Sequence, residues 1–178
     1  MIVILNNLRS SQNVGAIFRT AEAAGCEKIY CCGITPAPLD RFGRPNSRLL
    51  KASLGAEKYL DWEKVKSATK LIDELKKQGH QILALEQDKK SVSLFDFKAG
   101  VRFKAEVRRK SDILSRFHAT SMKNFVLVLG NEVNGLPRSI LNRADKILEI
   151  PMRGRKESLN VAVAFGITIF WLGHSTLS

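Results

Sequence analysis

Short apolar runs alternate with amphipathic stretches along most of this 178-residue chain, and the alternation limits the folds open to it. The apolar runs are rich in Val, Ile and Leu and are bounded by turn-forming residues, as buried strands usually are. Candidate strands are 2–7, 28–33, 58–62, 81–86, 125–130 and 146–151, and candidate helices are 13–24, 46–53, 63–78, 137–143 and 158–173. The alternation predicts an α/β fold whose mostly parallel sheet is covered by helices on both faces.

The length of the chain suits one domain spanning 1–178, and no internal repeat or linker interrupts it. Residues 98–123 lie between two candidate strands, so we expect a basic insertion there. The apolar run VAVAFGITIFWLG falls short of the ~20 residues that span a bilayer. The first residues, MIVILNNLRSSQN, lack the pattern of a secretory signal. We therefore expect a cytoplasmic protein that does not enter a membrane.

The charge is strongly positive, since 29 Lys and Arg against 17 Asp and Glu give a net charge of +12. Such an excess favours a polyanionic partner, with nucleic acid first. Eight basic and two acidic residues lie between Lys98 and Lys123, a net charge of +6. A second basic group, Arg41, Arg44, Arg48 and Lys51, follows a proline-rich loop. These groups are either solvated faces or surfaces that bind phosphates.

Several classes of site find no support in the sequence. The three cysteines form no C-x-x-C pair and the three histidines are scattered, so we expect no metal site. Cys31 and Cys32 are expected on opposite faces of a strand, as small core residues. No G-x-G-x-x-G or G-x-x-x-x-G-K-[ST] motif is present. A dinucleotide-binding or P-loop enzyme is therefore disfavoured.

Three separate segments carry polar residues at places where a site would need them. Arg19 lies on an otherwise apolar helix, where it is either a surface residue or a phosphate ligand. Asn131 and Glu132 follow directly after the strand FVLVLG, at the end where parallel sheets bind ligands. Ser158 is expected to cap the last helix, and Asn160 follows it. Each feature alone has a structural explanation, but together they favour a site, in which Ser158 and Asn160 point into the same crevice as Asn131 and Glu132.

The same segments carry a specific resemblance. N-x-G-x-x-x-R-T at 13–20, L-G-N-E-x-x-G-L at 129–136 and I-P-M-x-G-x-x-x-S-L-N-V at 150–161 resemble, in this order, the three motifs of the SpoU (TrmH) RNA 2′-O-ribose methyltransferases. The family is part of the SPOUT superfamily, so the resemblance implies a parallel-sheet SPOUT fold with a deep C-terminal trefoil knot. It also implies S-adenosyl-L-methionine as the methyl donor and a homodimer. The apolar C-terminal helix fits a dimer, because a helix that is hydrophobic nearly all round needs partners on both faces.

The resemblance assigns roles to residues of this chain. The expected catalytic residues are Arg19, Ser158 and Asn160, supported by Glu132 and Asn13. The expected cofactor-binding residues are Leu85, Gly130, Asn131, Ile150, Met152, Ser158 and Leu159. In this assignment Gly130 lets the backbone approach the adenosine, because glycine has no Cβ. A guanidinium is a poor base, so we expect Arg19 to hold the target phosphate and the 2′-oxygen.

The positive charge also predicts an RNA-binding surface. We assign it to Arg9, Arg41, Arg44, Arg108, Arg109 and Lys110. Transfer RNA is the expected substrate, and ribosomal RNA is the second choice. A catalytically silent RNA-binding factor that keeps the fold is the alternative, while a methyltransferase of small molecules or proteins is disfavoured by the charge.

Overall fold

The computed structural model describes residues 1–97 and 124–175 of the chain. Its centre is a seven-stranded sheet in the order β3-β2-β1-β6-β4-β7-β5, and the six strand pairings in it are parallel. The strands are β1 Ile2–Asn6, β2 Lys28–Cys32, β3 Asp61–Val65, β4 Gln81–Leu85, β5 Val92–Ser93, β6 Phe125–Leu129 and β7 Lys146–Glu149. The predicted parallel α/β sheet is confirmed.

Helices cover both faces of this sheet. They are α1 Ser11–Ala23, α2 Ser47–Ser53, α3 Ala68–Lys77, α4 Arg138–Leu141 and α5 Val161–Ser175, with a short 3₁₀ helix at Ala56–Lys58. One core joins Phe18 of α1 and Phe165 of α5 to the sheet, and the other joins Ile72 of α3 and Ile140 of α4 to its opposite face. Both faces are buried, which explains why the central strands read as continuous apolar runs.

Cys31 and Cys32 belong to opposite cores, as their adjacent positions on a strand require. Both side chains are buried, and burial raises the pKa of each thiol to about 12. They are therefore neutral thiols at physiological pH and serve as packing residues, as the sequence predicted.

The chain between 56 and 68 differs from the prediction. The expected strand 58–62 is instead a 3₁₀ turn followed by β3, which begins at Asp61, and α3 begins at Ala68 rather than at 63. Among the described strands, β3 lies at the edge and pairs with β2 alone, so its backbone bonds hold it in the sheet while most of its side chains face water. The two-residue strand β5 was missed, because so short a segment has no periodicity.

The last helix also begins later than predicted. Ser158 was expected as its cap, but α5 begins at Val161. Asn160 takes the capping position, because its Oδ1 accepts the backbone N–H of Ala162 at 2.9 Å and its carbonyl accepts that of Ala164 at 2.9 Å. Ser158 therefore lies in the preceding loop, and this part of the prediction was wrong.

Helices α1 and α2 approach each other unusually closely at Gly15. A Cβ added to Gly15 would lie 2.4 Å from the carbonyl oxygen of Leu49 and 2.7 Å from the Cβ of Ala52. The glycine between Asn13 and Arg19 is therefore needed for helix packing. No helix in the described part of the chain is long and apolar enough to cross a membrane.

Candidate active site

A cavity of about 310 Å³ opens where three neighbouring strands, β6, β4 and β7, reach their carboxyl ends. It lies between the loop that follows β6 and the loop 150–160 that follows β7. The lining residues are Asn13, Leu85, Glu86, Gln87, Leu129, Gly130, Asn131, Glu132, Val133, Gly135, Glu149, Ile150, Met152, Ser158, Leu159, Asn160, Val161 and Ala164. Its size and its mixture of apolar and polar lining residues are those of a small-molecule site.

The loop after β6 folds back on itself at Gly130. A Cβ there would lie 2.5 Å from the carbonyl carbon of Gly135 and 2.6 Å from the nitrogen of Leu136. The backbones of Asn131 and Gly135 exchange two hydrogen bonds, of 3.2 and 2.9 Å, and Gly135 has a φ of 63°. Glycine is thus required at 130 by the loop itself, whatever the cavity binds.

Asn131 closes this loop and ties it to the neighbouring strand. Its Oδ1 accepts the backbone N–H groups of Val133 and Asn134 at 2.9 and 3.0 Å. Its Nδ2 donates to the carbonyl of Asn7, just after β1, at 2.7 Å. Asn131 therefore fixes the ends of β6 and β1 relative to each other.

Glu132 anchors the beginning of α1. Its carboxylate accepts the backbone N–H of Arg9 at 2.9 Å, that of Ser10 at 3.0 Å and the Nδ2 of Asn13 at 3.2 Å. Partial burial alone would raise its pKa, but these hydrogen bonds outweigh burial and lower the pKa below its usual value. Glu132 is therefore ionised at neutral pH.

Asn13 connects the first segment to the third. Its side-chain Nδ2 binds Glu132, while its Oδ1 accepts the Nδ2 of Asn160 at 3.1 Å. A continuous chain of side-chain hydrogen bonds thus runs Glu132–Asn13–Asn160. It joins the loop after β6, the start of α1 and the start of α5, three segments far apart in sequence.

A second, open cavity of about 230 Å³ lies beside this chain of side chains. It is lined by Arg9, Ser10, Ser11, Gln12 and Arg48. Because the backbone of Arg9 binds Glu132, the two cavities share a wall. Two arginines at the rim give the second cavity a positive potential suited to an anion.

The comparisons with known proteins identify the relatives of this chain. A family model described as the SpoU rRNA Methylase family matches residues 1–170. The chain belongs to this family. The resemblance read from the three motifs is confirmed.

Individual SpoU relatives are moderately similar. A 23S rRNA (guanosine-2′-O-)-methyltransferase from Xanthomonas axonopodis pv. citri is 31% identical over 170 residues, covering 96% of this chain and 57% of that protein. A tRNA (guanosine(18)-2′-O)-methyltransferase from Aquifex aeolicus is also 31% identical over 170 residues, covering 96% and 67%. The structure of an AdoMet-bound rRNA methyltransferase from Sinorhizobium meliloti superposes with a TM-score of 0.78 at 27% identity, covering 99% of this chain and 57% of that one. The chain thus spans little more than half the length of the rRNA relative.

All seven residues that the SpoU resemblance assigned to the cofactor line the larger cavity: Leu85, Gly130, Asn131, Ile150, Met152, Ser158 and Leu159. Four of the five expected catalytic residues, Asn13, Glu132, Ser158 and Asn160, line it as well. Sequence positions up to 147 residues apart are therefore brought to one place. Their roles remain predictions.

Arg19 is the expected SpoU catalytic residue that the fold places apart. It is exposed on α1 and does not line the larger cavity. It follows Asn13 by six residues, about 1.7 helical turns, so it lies roughly 120° around the axis from the Asn13 side chain. The guanidinium of Arg19 forms no hydrogen bond or ion pair with the described residues.

Some cavity residues were missed by sequence reasoning. Glu86 follows β4 and accepts the backbone N–H of Leu136 at 2.7 Å, so it holds the far side of the loop after β6. A Cβ on Gly135 would lie 2.3 Å from the Oε2 of Glu86, so this contact requires glycine at position 135. Glu86, Gln87 and Glu149 share one usable indication, which is that each lies at or just after the carboxyl end of a strand.

The expected RNA-binding residues divide in two. Arg9, Arg41 and Arg44 are exposed, and Arg9 lines the second cavity. Arg108, Arg109 and Lys110, together with the whole expected insertion 98–123, lie outside the described residues. In the described part of the chain, no group of three or more His, Cys, Asp or Glu is arranged to hold a metal ion.

Proposed function

We propose that this SpoU chain transfers a methyl group from S-adenosyl-L-methionine to a ribose 2′-oxygen of RNA. The observation that carries the proposal is the hydrogen-bonded chain Glu132–Asn13–Asn160 beside the larger cavity. It joins all three motif segments at the edge of the sheet where parallel α/β proteins bind ligands. The names of the two curated relatives, both 2′-O-methyltransferases, support the same reaction.

The larger cavity fits the proposed cofactor in chemistry. An apolar surface for an adenine ring is formed by Leu85, Ile150, Met152 and Leu159. Residues of the folded-back loop 130–135 line the same cavity and offer backbone groups for hydrogen bonds. Glu132 and Glu149 are among the lining residues, so negative charge lies near a cationic ligand in this space. When bound, the cofactor supplies a methyl group on a positively charged sulfur.

The reaction depends mainly on the alignment of the 2′-oxygen, the methyl carbon and the sulfur. The 2′-oxygen bonds to the methyl carbon as the carbon–sulfur bond breaks, and holding the reacting atoms in line is where the protein gains most. Ser158 and Asn160 are the groups that we assign to orienting the ribose at the cavity mouth. Asn13 and Glu132 hold Asn160 in place through their hydrogen bonds.

The proton of the 2′-hydroxyl has to leave during the transfer. A guanidinium stays charged and cannot accept it. We assign Arg19 to holding the target phosphate and stabilising the developing negative charge on the 2′-oxygen, while the phosphate or solvent takes the proton. Its exposed guanidinium, without a protein partner among the described residues, is available for such a contact.

The substrate class follows from charge and from the relatives. We take tRNA as the first candidate and ribosomal RNA as the second, since one curated relative is named for each. Arg9 and Arg48 at the second cavity, with Arg41 and Arg44 nearby in sequence, are the described residues that we assign to the RNA backbone. Arg108, Arg109 and Lys110 are assigned to it from the sequence alone.

We propose further that the chain is one SpoU domain with the trefoil knot of its superfamily, and that it forms a homodimer. The close superposition on the Sinorhizobium structure over 99% of the chain supports the first proposal. An exposed apolar stripe on α5, formed by Val163, Ile167 and Phe170, supports the second. The three unpaired cysteines are consistent with a cytoplasmic location, which we also propose.

The function is tested by supplying the purified protein with radiolabelled S-adenosyl-L-methionine and, separately, unmodified tRNA and ribosomal RNA. Label in tRNA supports the proposal as stated, whereas label only in ribosomal RNA keeps the reaction and changes the substrate. Calorimetric titration of the cofactor is run in parallel. A protein that binds RNA but neither binds the cofactor nor labels any RNA would be the silent RNA-binding factor instead.

A further inference from the structure

Phe42 is a large aromatic side chain that the fold leaves in water. The residue is 66% exposed, and it lies at the tip of residues 38–46, which we call the Phe42 loop. Such a ring normally packs inside a protein or at an interface, because exposing it forgoes a large hydrophobic contribution. Neither the cavity nor the proposed chemistry explains it.

The Phe42 loop is held firmly in shape. The Oδ1 of Asp40 accepts the backbone N–H groups of Phe42 and Arg44 at 2.8 and 2.9 Å. The backbones of Asp40 and Arg44 are joined at 2.9 Å, and Gly43 turns the chain with a φ of 76°. Asn46 closes the loop by donating its N–H to the carbonyl of Pro38 at 2.9 Å. The exposed ring is thus held by a turn that several hydrogen bonds stabilise.

Two arginines flank the ring. The Cζ of Arg41 lies 4.6 Å from the ring centroid, and that of Arg44 lies 5.5 Å from it. The Oδ1 of Asp40 accepts two backbone N–H groups, and because two arginines face this one carboxylate the loop carries a net positive charge. An aromatic ring beside guanidinium planes is the surface on which unpaired nucleic-acid bases stack, with the cations bound to the phosphates.

The Phe42 loop is also anchored beside the proposed site. The Nδ2 of Asn46 donates to the Oγ of Ser11 at 3.3 Å. Ser11 lines the second cavity together with Arg9, whose backbone N–H binds Glu132. An RNA strand whose ribose lies at the Asn13–Asn160 end of the larger cavity could therefore pass the two arginines of the second cavity and then contact the Phe42 loop.

We propose that Phe42 stacks on an unpaired base of the RNA substrate, close in sequence to the methylated nucleotide. The inference rests on the proposed function only in taking RNA as the substrate. It adds a base-binding subsite that depends on aromatic stacking and not on charge. Because stacking is available to every base, the subsite selects unpaired RNA rather than a particular sequence.

The test compares Phe42→Leu and Phe42→Trp with the wild type in equilibrium binding to an unmodified tRNA transcript over a range of salt concentrations. The matched control is Tyr59→Leu, because Tyr59 is 81% exposed elsewhere on the surface. Leucine keeps an apolar side chain but loses the aromatic face, so we expect Phe42→Leu to bind roughly tenfold more weakly, as for loss of one stacked base. Phe42→Trp and Tyr59→Leu should bind as the wild type does.

Two further readouts separate stacking from other roles. Phe42→Leu should keep the salt dependence of the wild type, whereas Arg41→Gln should reduce its slope by about one phosphate contact. RNA should reduce the tryptophan fluorescence of Phe42→Trp by more than it reduces that of the wild type, whose tryptophans are Trp62 and Trp171.

Equal affinity of Phe42→Leu and the wild type, or fluorescence at position 42 that RNA does not change, would overturn the inference. So would a changed oligomeric state of Phe42→Leu with unchanged RNA affinity, since the ring would then contact protein. In each of these cases methylation of RNA by the wild type would leave the proposed function intact. A wild type that neither binds nor methylates RNA would overturn both.

Discussion

Glu132 illustrates at the level of one residue how the site is held. Its carboxylate satisfies two backbone N–H groups before α1 and orients Asn13, which in turn holds Asn160. A glutamine at this position keeps the shape but turns an amide nitrogen toward groups that only donate. We expect Glu132→Gln to lower kcat/KM by between about 10- and 100-fold through misplacement of Asn160. Glu63→Gln, on the exposed edge strand, is the control and should leave kcat/KM unchanged.

The lowered pKa of Glu132 also gives a pH dependence. A carboxylate whose pKa is lower in the folded state adds stability above its unfolded pKa and loses it as the pH falls through the folded value. The difference in free energy of unfolding between the wild type and Glu132→Gln should therefore be largest near neutral pH and shrink below about pH 4. Urea unfolding at several pH values measures it, and a difference that grows on acidification would contradict this assignment.

Arg19 lies outside the larger cavity, so its removal should affect the methyl transfer and not the binding of the cofactor. Arg19→Ala should lower kcat by about 10²- to 10³-fold, the usual loss when one group that stabilises developing negative charge is removed. The affinity for S-adenosyl-L-methionine, measured by calorimetry, should not change. Arg19→Lys should restore part of the rate, since it keeps the charge but not the planar fork. Normal turnover in Arg19→Ala would exclude its assigned role.

The residue-level contacts were only partly accessible from the sequence. The sequence predicted one crevice for Glu132 and Asn160, and the resemblance placed Asn13 among the supporting residues; all three line the cavity. Their partners were not predictable, because the bond from Asn131 to the carbonyl of Asn7 depends on two loops meeting across the sheet. The position of Glu86 just after a strand could have indicated a site residue, but its bond to the N–H of Leu136 also depends on two loops meeting.

At the level of elements, the packing of α1 against α2 depends on Gly15. A methyl group there would overlap the carbonyl oxygen of Leu49 and the Cβ of Ala52, so the helices would have to separate. We expect Gly15→Ala to lower the free energy of unfolding by about 1–3 kcal/mol, the usual cost of overpacking. Chemical denaturation of Gly15→Ala measures this.

The matched control for Gly15→Ala is Gly154→Ala. A Cβ on Gly154 meets no atom within 4 Å, so its stability should stay close to that of the wild type. Equal stability of the two variants would mean that α1 and α2 tolerate a wider spacing than the fold implies.

Most strand starts followed local signals in the sequence. β1, β2, β4, β6 and β7 begin where they were predicted, because each carries a run of apolar residues next to turn-forming residues. β3 was displaced because an edge strand is held by its backbone pairing, and its sequence, DWEKV, is mainly polar. α5 began at Val161 because Asn160, rather than Ser158, accepts the first free N–H groups.

At the level of the whole molecule, α5 presents apolar side chains in two directions. Phe165, Ile169 and Leu172 pack into the core, while Val163, Ile167 and Phe170 face outward. The exposed side of a helix usually is polar, so this stripe implies a partner surface. In the proposed homodimer the stripe meets a second copy of the chain.

Phe170→Glu tests the dimer directly, because Phe170 is 55% exposed and its replacement should not disturb the core. We expect the wild type to sediment as a dimer and Phe170→Glu as a monomer, since a charge buried at the interface is costly. Leu54→Glu, at an exposed apolar residue away from α5, should remain dimeric. A monomeric wild type, or a dimeric Phe170→Glu, would contradict the proposal.

The position of the transferred methyl group on the RNA defines the proposed reaction. The most direct measurement is to label tRNA or ribosomal RNA with the protein and radiolabelled S-adenosyl-L-methionine, digest the RNA with alkali and locate the label. Alkaline cleavage needs a free 2′-hydroxyl, so the account predicts label in alkali-resistant dinucleotides. Label released in ordinary mononucleotides would place the methyl group on a base, and would contradict 2′-O-methylation by this site.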